Sequence, residues 1–116
     1  MKIAFQADND FDQTIVRILW QAEPTIAFRT AAEVNLHRLD DPPVLFSAVL
    51  EKRILVSSDQ TMMPLHFAEF IQTETSYGLL IAPQSLSINI VVDEILMIWT
   101  ASTVDEWINR IGYLPL

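Results

Sequence analysis

The apolar and polar positions of the chain fall into short buried runs that alternate with stretches of helical spacing. Residues 2–7, Lys-Ile-Ala-Phe-Gln-Ala, form a mostly apolar run of the kind that becomes a strand buried on both faces. Asp8-Asn9-Asp10-Phe11-Asp12 follows, rich in residues that cap helices. Phe11, Ile15, Ile18, Leu19 and Ala22 then recur at helical spacing up to Pro24. Residues 25–28 predict a second strand, and residues 31–36 fit a short helix or a turn. Asp40-Asp41-Pro42-Pro43 marks a boundary, because proline suits a first helical turn and the residue before it avoids the helical region. A helix is therefore expected from near Pro43, with Asp41 just outside it. Leu45, Ala48 and Val49 supply its apolar face.

Residues 53–57, Arg-Ile-Leu-Val-Ser, carry the strongest strand signal and end in Ser58-Asp59-Gln60. Residues 64–72 predict a helix, residues 77–82 a strand closed by Pro83, and residues 87–100 a long helix. A short helix is expected over 103–108, where Thr103 and Glu106 have the spacing of a capping box. Residues 110–116 read as a last strand or an extended tail. Strands alternating with helices throughout predict one α/β domain over residues 1–116: a three-layer α/β/α sandwich with a mainly parallel sheet.

With 116 residues and 51% of them apolar, the chain has the material for one cored domain. It has no cysteine, which removes disulfides, thiolate metal sites and cysteine nucleophiles. That composition suits a reducing cytoplasm. The N-terminal apolar run is too short for a signal segment. No apolar window reaches the roughly 18 residues of a membrane span, so no membrane association is expected. The net charge of −8 opposes a broad nucleic-acid surface. It leaves room for an acidic site that handles phosphates through a bound cation. Neither of the two glycines lies in a phosphate-cradling loop, and no GxGxxG or P-loop occurs. GxSxG is absent as well, so a Ser-His-Asp triad lacks its signature around His37 or His66. A receiver-like domain would need a lysine after a late strand, and none follows Lys52.

Three acids share one position in the pattern. Asp8 follows the first strand, Asp59 follows the strand over 53–57, and Asp41 stands at the mouth of the helix between them. The carboxyl ends of parallel strands face one edge, where ligands bind. Clustered carboxylates persist there with a compensating cation or with raised pKa values. Mg²⁺ or Mn²⁺ suits such hard oxygen ligands and would serve phosphodiester hydrolysis. Each acid also has a local alternative: Asp8, Asp10 and Asp12 as caps of the first helix, Asp41 as a turn residue, Asp59 as a cap of the next segment. Auxiliary candidates are Asp10, Ser58, Thr61 and His66. Arg53, at the far end of its strand, suggests a structural ion pair. Arg17 and Arg38 offer phosphate contacts or solvated helix charges. Trp20, Trp99 and Trp107 read as core or interface anchors.

These residues also carry a resemblance. Gln6-Ala7-Asp8-Asn9-Asp10-Phe11, Asp41-Pro42-Pro43-Val44-Leu45 and Arg53-Ile54-Leu55-Val56-Ser57-Ser58-Asp59 resemble markers of small stand-alone PIN-like proteins, a ribonuclease- and toxin-type family. The likeness continues, in order, through Thr61-Met62-Met63-Pro64-Leu65-His66, Gly78-Leu79-Leu80-Ile81-Ala82-Pro83-Gln84 and Tyr113-Leu114-Pro115-Leu116. It implies an α/β/α fold and a Mg²⁺- or Mn²⁺-dependent ribonuclease site in which Asp8, Asp41 and Asp59 are the metal-holding and catalytic acids. It further implies an RNA substrate, a small antitoxin partner in a bacterial toxin–antitoxin pair, and a homodimer. Two departures stand out. Asn9 occupies the place where relatives often carry a second acid, with Asp10 next. The stretch Ala82-Pro83-Gln84-Ser85 lacks the fourth acid of typical PIN nucleases. A binding or dimerisation module without nuclease activity is the alternative that these departures imply.

Overall fold

The computed structural model describes residues 2–31 and 41–116, with the backbone alone at residues 41–44 and 46. Its elements follow the order β1 (Ala4–Ala7), α1 (Gln13–Ala22), β2 (Ala27–Arg29), α2 (Asp41–Leu50), β3 (Ile54–Ser57), α3 (Met62–Thr73), β4 (Leu79–Ile81), α4 (Ile88–Ala101), a 3-10 turn (Val104–Trp107) and β5 (Ile111–Tyr113). All five strands are parallel in the order β2-β1-β3-β4-β5. Helices cover both faces, so the domain is the expected α/β/α sandwich. Among the described residues, no helix is long and apolar enough to cross a membrane.

The strands read as near-continuous apolar runs because both of their faces are covered. On one face Phe5, Ala7, Ile54, Val56 and Leu80 meet Val16 and Leu19 of α1 and Val91, Ile95 and Ile98 of α4. On the other, Leu55, Leu79 and Ile81 meet Leu45 and Ala48 of α2 and Met63, Phe67 and Phe70 of α3. Stacked Phe5 and Phe28, with centroids 5.2 Å apart, join β1 to β2 on the first face. Trp99 and Trp107 are buried there as anchors, and Trp20 packs against the same core.

Several boundaries shift for local reasons. α1 starts at Gln13 because Asp12 accepts the Thr14 N–H at 2.8 Å and caps it. α2 starts at Asp41, so Pro42 and Pro43 occupy its first turn, where missing N–H groups cost no helical bond. The segment after Thr103 is a single 3-10 turn, closed by the Thr103 N–H on Glu106 Oε2 at 2.8 Å. Arg53 precedes β3, and its Nη1 donates to the Phe5 carbonyl at 2.9 Å. Most of the segment over 31–36, together with His37 and Arg38, lies outside the described residues.

Two features of the topology shape the functional edge. The chain moves from β1 outward to β2, then returns to lay β3 on the other side of β1. The order thus reverses at the β1–β3 junction, the switch point where open α/β sheets bind ligands. Further on, β3 to β4 and β4 to β5 step in the same direction, yet α3 and α4 lie on opposite faces. These two crossovers therefore have opposite hands, a departure from the nearly uniform right-handed rule. The result is that α4 shares a face with α1, and the two helices begin beside each other above the carboxyl ends of the strands.

Candidate functional site

The site grows from the register of two strands. Ala7 pairs with Val56, and the Asp8 N–H extends the ladder to the Val56 carbonyl at 2.8 Å. The next residues, Asp8 and Ser57, consequently stand side by side on one face of the sheet. Both are buried: Ser57 completely, Asp8 to 5% exposure. Asp8 Oδ1 accepts the Asn9 N–H at 2.7 Å, and Oδ2 accepts the Ser57 hydroxyl at 2.9 Å. Ser57 Oγ lies 3.4 Å from Asp10 Oδ1 and accepts the Asp59 N–H at 3.1 Å. A hydroxyl has one proton, so the shorter contact to Asp8 holds it and Asp10 is the weaker alternative. Asp10 Oδ1 is also met by the Ser58 N–H at 3.3 Å. One serine thus fastens the β1–α1 loop to the β3–α3 loop.

Of the acids expected at this edge, Asp8 and the auxiliary Asp10 converge on Ser57. Asp59 reaches Ser57 through its backbone N–H, while its Oδ1 serves the start of α3. Asp59 Oδ1 accepts the N–H groups of Thr61 and Met62 at 3.0 and 2.9 Å, and the Thr61 hydroxyl at 3.1 Å. It therefore caps α3, the local alternative considered for it. Burial pushes the Asp59 carboxyl up, but the amides of Met62 and Thr61, the Thr61 hydroxyl and the Met63 amide favour the anion and hold it below the ordinary value. The Asp41 backbone opens α2, and its side chain lies outside the described residues. His66 is half-buried on α3, and Ser58 and Thr61 contribute as described.

The lowered Asp59 pKa carries a signed pH dependence. A folded carboxyl that titrates below its unfolded value stabilises the fold above the unfolded pKa, about 4, and loses that contribution as pH falls through the folded value. Asp59→Ala should lower unfolding stability by about 1 kcal/mol at neutral pH through loss of the cap. The gap from wild type should narrow below about pH 4. Urea unfolding of both proteins across this range checks it, and a constant gap removes the anionic cap.

The donors gathered here are oxygens, the kind that a hard ion takes. Carboxylate and amide oxygens suit Mg²⁺ or Mn²⁺. Gln6 precedes Asp8 by two residues on the same face. Its Nε2 donates to the Ala7 carbonyl at 2.9 Å, and its buried Oε1 has no hydrogen-bond partner among the described residues. Among the described residues, no group of three or more His, Asp or Glu side chains could hold a metal, so Asp8 and Asp10 form a partial donor set.

Sequence reasoning missed Ser57 and Gln6. Their signal was a polar residue inside an otherwise apolar strand, which a buried parallel sheet tolerates only with a partner. Beside the carboxylates lies a cavity of about 300 Å³ between the beginnings of α1 and α4. Asp10 and Ser58 belong to its lining as well as to the Ser57 cluster. No family model matches the chain, and no curated protein and no solved structure matches it.

Proposed function

We propose that the chain is a metal-dependent ribonuclease of the PIN-like type, the toxin half of a bacterial toxin–antitoxin pair. The observation that carries this reading is the buried Asp8 carboxylate, joined by one serine to Asp10 and to the Asp59 backbone at the switch point of the sheet. Asp8 and Asp10, with Asp41 and Asp59 from the neighbouring helix starts, would hold Mg²⁺ or Mn²⁺. The ion would supply Lewis-acid polarisation of an RNA phosphodiester and an activated water. Ser57 fixes the Asp8 carboxylate in one orientation, and the Ser58 amide does the same for Asp10. The reaction is hydrolysis: water adds to phosphorus and the ribose oxygen leaves. A cytoplasmic setting and a small antitoxin covering the acidic edge belong to the same proposal.

The test is metal dependence. Purified chain should cut single-stranded RNA in millimolar Mg²⁺ or Mn²⁺, stop on chelation, and resume when the ion is restored. Absence of ion binding at millimolar concentration counts against the proposal. A second reading, a binding or homodimerisation module that cuts nothing, is favoured by specific observations. Asp59 spends its Oδ1 on the start of α3, and Ala82-Pro83-Gln84-Ser85 beyond β4 offers no acid. Cleavage unchanged by both Asp8→Asn and Asp59→Asn would transfer the conclusion to that module.

A further inference from the structure

Gln6 is completely buried, although Leu55 beside it on β3 and Leu79 beyond that on β4 are apolar. An amide in such a place is expected to satisfy both of its ends. Gln6 satisfies one. Its Nε2 donates to the Ala7 carbonyl at 2.9 Å and lies 3.4 Å from the carbonyls of Arg29 and Thr30. Its Oε1 is buried and has no hydrogen-bond partner among the described residues. The same contacts fix where the amide lies. Gln6 pairs with Arg29, so Ala7 and Thr30 each stand one residue nearer the carboxyl edge. The side chain therefore leans forward toward that edge, on the face that carries Asp8. Its nitrogen faces carbonyls at the end of β2, and their like partial charge keeps Oε1 away from them. Asp8 stands one step further along the same face, with Oδ2 on the Ser57 hydroxyl of β3.

We propose that Gln6 Oε1 is a neutral oxygen donor to a Mg²⁺ or Mn²⁺ ion held at Asp8. This donor role rests on the ion reading given above. With Asp59 Oδ1 given to the start of α3 and no acid beyond β4, the edge is short of anionic ligands. An amide oxygen adds a ligand of the hard kind without adding repulsion between carboxylates. It also accounts for the bare acceptor. A buried oxygen without a partner costs the empty fold free energy, and a cation beside it removes that cost. The donor grip on the Ala7 carbonyl then has a purpose: it holds the amide with its oxygen turned from β2.

The test follows Gln6 itself and needs no RNA. Mg²⁺ is titrated into the isotope-labelled full chain, and two NMR signals are read: the Gln6 side-chain amide, and the Asn9 backbone N–H that lies on Asp8 Oδ1. Both should move together and fit one dissociation constant. Gln6→Leu should weaken Mn²⁺ binding by about 10-fold, with the unfolding midpoint as fold control. Gln6→Glu restores an oxygen and adds a charge beside Asp8, so Mg²⁺ should raise its unfolding midpoint more than it raises that of wild type. A glutamine that only braces β2 against β1 gives no such gain. Should Gln6→Leu fail to fold, the wild-type titration and Gln6→Glu carry the decision. Movement of Asn9 with the Gln6 side chain still overturns the donor role and keeps the ion at Asp8. Unchanged Mn²⁺ affinity in a folded Gln6→Leu protein, or an equal Mg²⁺ effect on Gln6→Glu and wild type, overturns it as well. If neither signal moves, the ion, the donor and the nuclease reading fall together.

Discussion

Asp8→Asn should lower kcat/KM for RNA cleavage by more than about 100-fold while leaving the protein folded. Loss of a group that only supports a metal ligand typically reduces activity by roughly 10- to 100-fold, and a direct ligand should exceed that range. The isosteric amide is the informative replacement because the surroundings can absorb it. With the amide nitrogen at the Oδ2 position, Ser57 turns its lone pair toward the new N–H and its proton toward Asp10, already 3.4 Å away. The Asn9 amide keeps its acceptor. Stability should therefore change by no more than about 1–3 kcal/mol, the range for a disturbed buried hydrogen bond. What the variant loses is the anion. Cleavage equal to wild type in a folded Asp8→Asn protein would assign the activity to a contaminant.

Gly78→Ala should destabilise the domain by about 3 kcal/mol, with no acid touched. Gly78 has φ +119°, a conformation that L side chains rarely adopt, and strain of this kind costs roughly 1–3 kcal/mol. Space is short as well. A Cβ there would stand 3.0 Å from both the Cβ and the carbonyl oxygen of Trp107, and backbone cannot move aside as a flexible side chain can. The residue also works in place: its carbonyl accepts the Leu55 N–H at 3.0 Å, and its own N–H reaches Ser76 Oγ at 3.0 Å. Gly112 gives the contrast. A Cβ there meets the Trp107 ring edge at 3.0 Å with no positive φ, so Gly112→Ala should have the smaller effect. Urea midpoints of the two variants decide the matter, and a loss below about 1 kcal/mol for Gly78→Ala refutes the strain argument.

The order of elements was legible because each apolar run ends in residues with one local role. Pro24, Pro83 and Thr103 end or begin segments through their own backbone chemistry, whatever the rest of the chain does. The arrangement of the acids was less accessible. Asp10 and Asp59 both lie just beyond a strand, and nothing local says which carboxylate will face its neighbour and which will cap a helix. That outcome depends on β1 lying beside β3 in a register that pairs Ala7 with Val56, a long-range fact. The same register makes Ser57 the hub, although its sequence position suggested only the end of a strand. The side-by-side starts of α1 and α4 were hidden too, since a uniformly right-handed sheet would separate α4 from α1. The PIN-like resemblance, with its nuclease and antitoxin implications, stands as the proposal to be tested.

Among the described residues, the sheet finishes on both sides in strands of three residues, β2 and β5. A border that short exposes only one or two open amide–carbonyl positions, too little for a neighbouring copy to continue the ladder. Fibre-like growth strand upon strand is thus discouraged by length, with Arg29 adding a charge at one margin and Pro115 following close on the other.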